Sequence, residues 1–193
     1  MRPLGVVVPD PVPDDHPQFL QPIEELPVEQ LIAQPQQLDQ QVSELEREIV
    51  LWHRQNEDSR RLERIGGIGP LTASAYVTSL GNAKGFHNGR QVAAWLGIVP
   101  RQDSSGGKPK LLGISKHGDV YLRTLLIHGA RSLLRHLEHR PQQADSWLKR
   151  LMLRRGKNIA AVALANKNAR IAWALLAHQR EFKPDYVSTV PSR

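Results

Sequence analysis

The chain has 193 residues, 40% of them hydrophobic, no cysteine and a formal net charge of +7. That fits one domain of ordinary size with an appendage, and it excludes disulfides, thiolate metal sites and cysteine nucleophiles. The charge is split: residues 1–58 carry 12 acids and 3 bases (net −9), whereas residues 59–193 carry 7 acids and 23 bases (net +16). A polyanion is the economical partner of such a cationic domain, because counterion release favours binding. No apolar run nears the roughly 18 residues of a membrane span, and no basic amphipathic helix offers a bulky aromatic face to lipid. Met1–Pro9 is too short and too proline-interrupted for a signal peptide. The expectation is a cytoplasmic protein with no membrane partner.

Residues 1–37 hold eight of the 14 prolines with acids between them. Proline lacks the amide proton that helices and ladders use, so this segment is expected to be disordered or extended. From Leu38 the pattern changes. Leu38, Val42, Leu45, Ile49 and Trp52 recur at steps of four and three, which draws an apolar seam down a helix over 38–58. The seam suits either homo-oligomerisation through residues 38–52 or packing on the helix's own domain. Next, Leu62 to Ala75 brackets Gly67-Ile68-Gly69 between apolar residues, with Pro70 at a first helical turn. Such a glycine turn suits a helix-hairpin-helix, in which Gly67 and Gly69 would offer backbone N–H groups to a phosphate; a plain αα-hairpin is the alternative.

Gly81 to Gly85 reads as a loop and Gly89 to Leu96 as a short helix. Residues 119–139 form the clearest amphipathic helix, with Leu122, Leu125, Leu126, Ala130, Leu133, Leu134 and Leu137 at helical spacing. Arg123, His128, Arg131 and Arg135 fill its other positions, and Arg131 and Arg135, four apart, share a face. Helices from about Asp145 to Arg155 and from Asn158 to about Arg180 complete the core. No alternating strand of useful length is evident. Trp52, Trp95 and Trp173 sit at apolar helix positions and are expected inside; Trp147, beside a cation run, is the one candidate for base stacking. The fold class is all-α: a coiled-coil-like helix, then a compact helical domain over 59–183 containing the hairpin, and a tail over 184–193.

The chemistry concentrates between Arg101 and Asp119. Ser104 and Ser105 lie on a glycine-flexible loop among Arg101, Lys108, Lys110 and Lys116, and Gly106 and Gly107 have no Cβ to obstruct a bulky anion. Asp119 or Ser115 is placed to cap the following helix. This is not an ATP-type phosphate loop, which would need glycine at Gln102 and a hydroxyl residue at Pro109. Thirteen cations between Arg101 and Lys157 face only Asp103, Asp119, Glu138 and Asp145, an imbalance that a nucleic acid would relieve. No metal site is expected: His136 and His139, three apart, stand beside Arg135 and Arg140.

The Ile65-Gly66-Gly67-Ile68-Gly69-Pro70 hairpin is followed by Trp95-Leu96-Gly97-Ile98-Val99-Pro100-Arg101, Ser104-Ser105-Gly106-Gly107-Lys108, Gly113-Ile114-Ser115-Lys116-His117-Gly118-Asp119 and Tyr121-Leu122-Arg123. Together they resemble the carboxy-terminal domain of the one-ten family of insertion-sequence transposases, relatives of Piv-type DNA invertases, over roughly residues 40–180. The resemblance implies a helical domain that carries a nucleophilic serine, matched by Ser105 with Ser104 as its neighbour. That serine would attack a DNA phosphate and hold the strand as phosphoserine. It also implies DNA as partner, a structured guide RNA in some relatives, and a RuvC-like domain whose acidic residues bind Mg2+. Nothing before Leu38 reads as that domain, since Asp10, Asp14 and Asp15 lie too close together. The expectation is therefore a truncated transposase domain with no cofactor of its own, inactive alone because a serine hydroxyl needs a base or metal to activate it. Asp103, beside so many cations, is expected to stay ionised as a salt-bridge partner, and His117 is a proton shuttle or a turn residue. The competing function is a non-catalytic helix-hairpin-helix module that grips nucleic acid without chemistry.

Overall fold

The structure, a computed structural model, describes residues 28–102, 111–139 and 146–184. It separates into two compact units, one ending at Gln41 and one beginning at Val42. Seven α-helices are present among the described residues: α1 (Val28–Gln55), α2 (Glu57–Glu63), α3 (Pro70–Leu80), α4 (Gly89–Trp95), α5 (Val120–His139), α6 (Ser146–Arg155) and α7 (Lys157–His178). The all-α class holds, with one addition. A two-stranded antiparallel ribbon, β1 (Pro100–Gln102) and β2 (Leu111–Ile114), pairs Pro100 with Ile114 and Gln102 with Leu111. Three- and four-residue strands are too short to show alternation, which is why no strand was legible there.

Helix boundaries follow side-chain chemistry. Asn56 Oδ1 accepts the Ser59 N–H at 2.8 Å to start α2, Asn88 Oδ1 accepts the Gln91 N–H at 3.0 Å to start α4, and Asp119 Oδ1 accepts the Leu122 N–H at 2.9 Å to start α5. Each satisfies a backbone donor that a helix start otherwise leaves unpaired. Pro70 occupies the opening turn of α3. Helix α1 begins at Val28, upstream of the Leu38 start that the apolar seam implies, and it accommodates Pro35. Its first turns do carry Val28, Leu31 and Ile32 at helical spacing, but Pro35 interrupts the pattern and argues against a helix, so the proline signal concealed them.

The core lies between α5 and α7. Leu122, Leu126, Ala130 and Leu134 of α5 are buried, as are Ala160, Ala161, Ala165, Ala169 and Ala172 of α7. Methyl-sized side chains let neighbouring helices approach α7 closely, and Gly89 of α4 does the same: a Cβ there would lie 3.0 Å from Arg170 backbone. Tyr76 of α3 is fully buried, and its hydroxyl donates to the Ala169 carbonyl at 2.6 Å. Burial pushes its ionisation far above the ordinary phenol range, so it remains a neutral donor. The hairpin between α2 and α3 is built into this core. Asn168, itself buried, donates to the Gly66 carbonyl at 2.8 Å. Gly67 takes φ +88°, and a Cβ on Gly129 of α5 would sit 1.9 Å from the Gly67 carbonyl oxygen.

At the end of α1, buried His53 meets Ser59 Oγ at 2.7 Å and Glu63 at 3.0 Å. Serine, imidazole and carboxylate in that order match the connectivity of an acyl-transfer triad, but Ser59 has no exposed surface. The three side chains therefore join α1 to α2. Of the tryptophans expected inside, Trp95 and Trp173 are half-buried, whereas Trp52 is 38% exposed and continues the open seam of α1.

Candidate nucleic-acid interface

The serine-bearing segment falls between β1 and β2 in the sequence, and Asp103, Ser104, Ser105, Lys108 and Lys110 all lie outside the described residues. The root of the ribbon, in contrast, is closely specified. Beyond the strands, the Ser115 N–H donates to the Val99 carbonyl at 2.9 Å and the Lys116 N–H to Gly97 at 3.0 Å. Two glycines make this possible. Gly97 has φ +68° and a Cβ there would lie 2.1 Å from the His117 carbonyl oxygen; Gly118 has φ +80° and its Cβ would lie 1.7 Å from that of Trp95. Only a residue without a side chain tolerates both the left-handed backbone and that approach. Lys116, at φ 59°, adopts the same left-handed region with a side chain attached, a conformation that costs about 1–2 kcal/mol and persists only where the surroundings enforce it.

Two side chains lock the root from opposite helices. Asn166 of α7 donates to the Ile98 carbonyl at 3.0 Å. Arg123, in the first turn of α5, directs Nη1 at the carbonyls of Leu96 and His117, 3.0 Å from each. Arg123 was expected at a nucleic-acid backbone. The structure corrects this: it is 8% exposed and engaged with the protein's own carbonyls. The signal was present in the sequence, because position 123 lies three before Leu126 and seven before Ala130, in the buried phase of α5. A charged residue type concealed it.

The other expected residues divide between surface and core. Arg101 on β1 and Lys116 at the root are exposed. Arg131 and Arg135 are exposed on α5, in a stripe with Tyr121, Thr124 and His128 at three- and four-residue spacing. At 1.5 Å per residue, Arg131 and Arg135 lie roughly 12 and 18 Å along the axis from Arg123, so the stripe leads away from the ribbon root over several turns. Gly67 is held against α5, which commits that part of the hairpin to packing. Gly69, ahead of α3, has open space where a Cβ would be. Among the described residues, no three His, Asp or Glu side chains are grouped to hold a metal ion. No helix of the described residues is long and apolar enough to cross a membrane.

Residues 59–152 match the model of the Transposase IS116/IS110/IS902 family, a span that takes in the hairpin, the ribbon, α5 and most of α6. The chain is 50% identical over 149 residues to a probable family 20 transposase of Pseudomonas aeruginosa, covering 77% of this chain and 44% of that protein. It is 51% identical over 145 residues to the transposase for insertion sequence element IS1111A of Coxiella burnetii, covering 75% and 40%. The transposase for insertion sequence element IS1328 of Yersinia enterocolitica is 44% identical over 138 residues, covering 72% and 41%. The chain thus spans about two fifths of the length of these relatives. Through residues 59–152, the chain belongs to the transposase IS116/IS110/IS902 family.

Proposed function

We propose that this chain is the part of an insertion-sequence transposase that grips DNA and presents a serine nucleophile, with Ser105 as attacking residue and Ser104 beside it. The single observation that carries this reading is the ribbon root. Two left-handed glycines, a buried arginine and an asparagine from a second helix fix the carbonyls at the base of a ribbon that bears a Ser-Ser-Gly-Gly segment. Holding a weak nucleophile in register matters most when the reacting phosphate is positioned separately. The exposed cations of α5 suit that second task by engaging DNA phosphates without reading bases. In the reaction, the serine oxygen bonds to phosphorus as the DNA oxygen departs, and the serine proton passes to a base. That activation is the contribution expected of an acidic domain such as the resemblance implies.

Two arms test the proposal. Duplex DNA affinity should fall steeply between low and physiological salt, and Arg131→Ala with Arg135→Ala should reduce the slope of log affinity against log salt by about 2. With the acidic domain of a relative supplied in trans, denaturing electrophoresis should trap a protein–DNA adduct that Ser105→Ala abolishes. Salt-sensitive binding with no adduct under any condition would leave the non-catalytic binding module as the better reading, and salt-insensitive binding would remove both. A structured RNA competing with duplex for the same cations would extend the partner class to guide RNA.

The seam of α1 supports self-association as part of the same proposal. Leu38, Val42 and Leu45 are 59, 53 and 58% exposed, more apolar surface than a solvated helix face requires. Paired with the same seam of a second copy, it forms a short coiled coil. Sedimentation should show a dimer that Val42→Glu with Leu45→Glu converts to monomer; identical sedimentation of both proteins would remove this element.

A further inference from the structure

Helix α6 buries Leu148 and half-buries Leu151 and Met152 against the core, which by helical phase leaves Arg150, Leu153 and Arg154 on its open side. Leu153 is 89% exposed, the most exposed large hydrophobic side chain among the described residues, so the fold itself makes almost no use of it. Ile159, in the first turn of α7, adds exposed apolar surface beyond the corner at Gly156. Arg150, Arg154 and Arg155 are exposed around Leu153, and no ion pair among the described residues involves them. Lys157, directly after the corner, is paired with Glu138 of α5 at 2.7 Å. Glu138 follows Arg135 by three positions and Arg131 by seven, which makes it the next member of the exposed stripe on α5. The corner therefore stands where the cationic stripe ends, about 4.5 Å along the helix axis beyond Arg135.

We propose that this corner is a wedge that bends duplex DNA: Leu153 enters between two adjacent base pairs while Arg150, Arg154 and Arg155 hold the phosphates on either side. The inference rests on the reading above, in which duplex phosphates lie along α5, and adds what happens where that path ends. An apolar side chain held at a base step by surrounding cations unstacks it and kinks the duplex by about 20–90°. The kink offsets the cost of unstacking by bringing further phosphates onto the protein, and the unpaired arginines beside Leu153 are placed to receive them. Two other partners fit less well. A second copy of the chain apposing the same face would set these arginines against their own counterparts, a juxtaposition of like charges. A lipid surface requires a broad apolar helix face, whereas α6 turns Leu148, Leu151 and Met152 towards the core.

The test uses the whole chain and a duplex of about 30 base pairs with donor and acceptor dyes at opposite ends. Binding of the parent should raise energy transfer, because a kink brings the ends together. A central mismatch, which lowers the cost of unstacking, should tighten binding about fivefold. Leu153→Ala should abolish both effects while keeping the melt and the salt slope of the parent, since Leu153 is 89% exposed and carries no charge. Leu153→Met should restore them, because a wedge needs an apolar side chain of similar length and not one particular residue. Arg154→Ala with Arg155→Ala should reduce the salt slope by about 2. A bend and a mismatch preference that persist in Leu153→Ala overturn the proposal. The same result with altered sedimentation, or with lost binding to vesicles of anionic phospholipid, would assign the corner to a second copy or to lipid instead. Steeply salt-dependent duplex binding by the parent without any bend overturns the wedge alone, whereas salt-insensitive binding removes the reading on α5 and the wedge with it, so the two failures are separable.

Discussion

Gly118→Ala is expected to lower the melting temperature by about 10 °C or more and to leave little folded protein at 37 °C. Two penalties coincide at this position. The backbone sits at φ +80°, where a Cβ costs about 1–2 kcal/mol. The same Cβ would also lie 1.7 Å from the Trp95 carbonyl oxygen and 2.9 Å from its carbon. The neighbour is backbone at the end of α4, not the tip of a flexible side chain, so relief requires the ribbon root to move off α4 by more than an ångström. That movement would take the His117 carbonyl off Arg123 and the Lys116 N–H off Gly97. The combined loss is about 3–5 kcal/mol, and at roughly 2–4 °C per kcal/mol for a chain of this size the shift should be plain in a thermal melt. Gly113→Ala provides the control: on β2, with nothing within 4 Å of its Cβ, it should change the melt by less than about 2 °C. Equal melts for the two variants would mean that the approach of residues 116–118 to α4 is not a feature of the folded protein.

Much of this architecture was readable from residues alone, and the exceptions have a common origin. Helix α5 declared itself through Leu122, Leu126, Ala130 and Leu134, and Asp119 through its position ahead of them, because periodicity and capping are local properties that a single segment carries complete. The hairpin was legible as punctuation in Gly67-Ile68-Gly69-Pro70. What Gly67 packs against was not, since its partner Gly129 is 62 positions away and an isolated glycine inside a helix announces a close approach without naming the neighbour. The ribbon root was hidden for the same reason. Gly97, Gly118, Arg123 and Asn166 come from four segments, and only the assembled fold brings them to the same few carbonyls. Arg123 was misread because composition assigns arginine to phosphate, while its helical phase assigned it to the interior. Where type and phase disagree, phase states which way the side chain points, and chemistry then has to be satisfied by what lies there.

Arg123 therefore separates two accounts of the cationic domain. If it were a phosphate ligand, Arg123→Met would leave the thermal melt unchanged, weaken duplex binding and reduce the salt slope by about 1. Seated as it is, with Nη1 3.0 Å from both the Leu96 and His117 carbonyls, the substitution removes a charged donor shared by two acceptors while keeping most of the apolar stem. Hydrogen bonds to a charged group contribute about 1.5–3 kcal/mol, and the orphaned acceptors add a desolvation cost. The expected result is destabilisation by about 3 kcal/mol, with amide exchange quickened at residues 97–102 and 111–118 before it quickens in α7. Arg123→Lys should recover only part of the loss, because an ammonium on a shorter stem cannot reproduce the guanidinium's fixed geometry. Duplex affinity, measured below the melting transition, should keep its salt slope, since Arg131 and Arg135 are untouched on the exposed stripe. On the proposed role of Ser105, the same variant in a full transposase assembly should reduce the yield of serine-linked DNA more than it reduces DNA occupancy, because a loosened root would position the nucleophile less well while the phosphates stay bound. An unchanged melt with a weakened salt slope would return Arg123 to the DNA and leave the ribbon without its clamp.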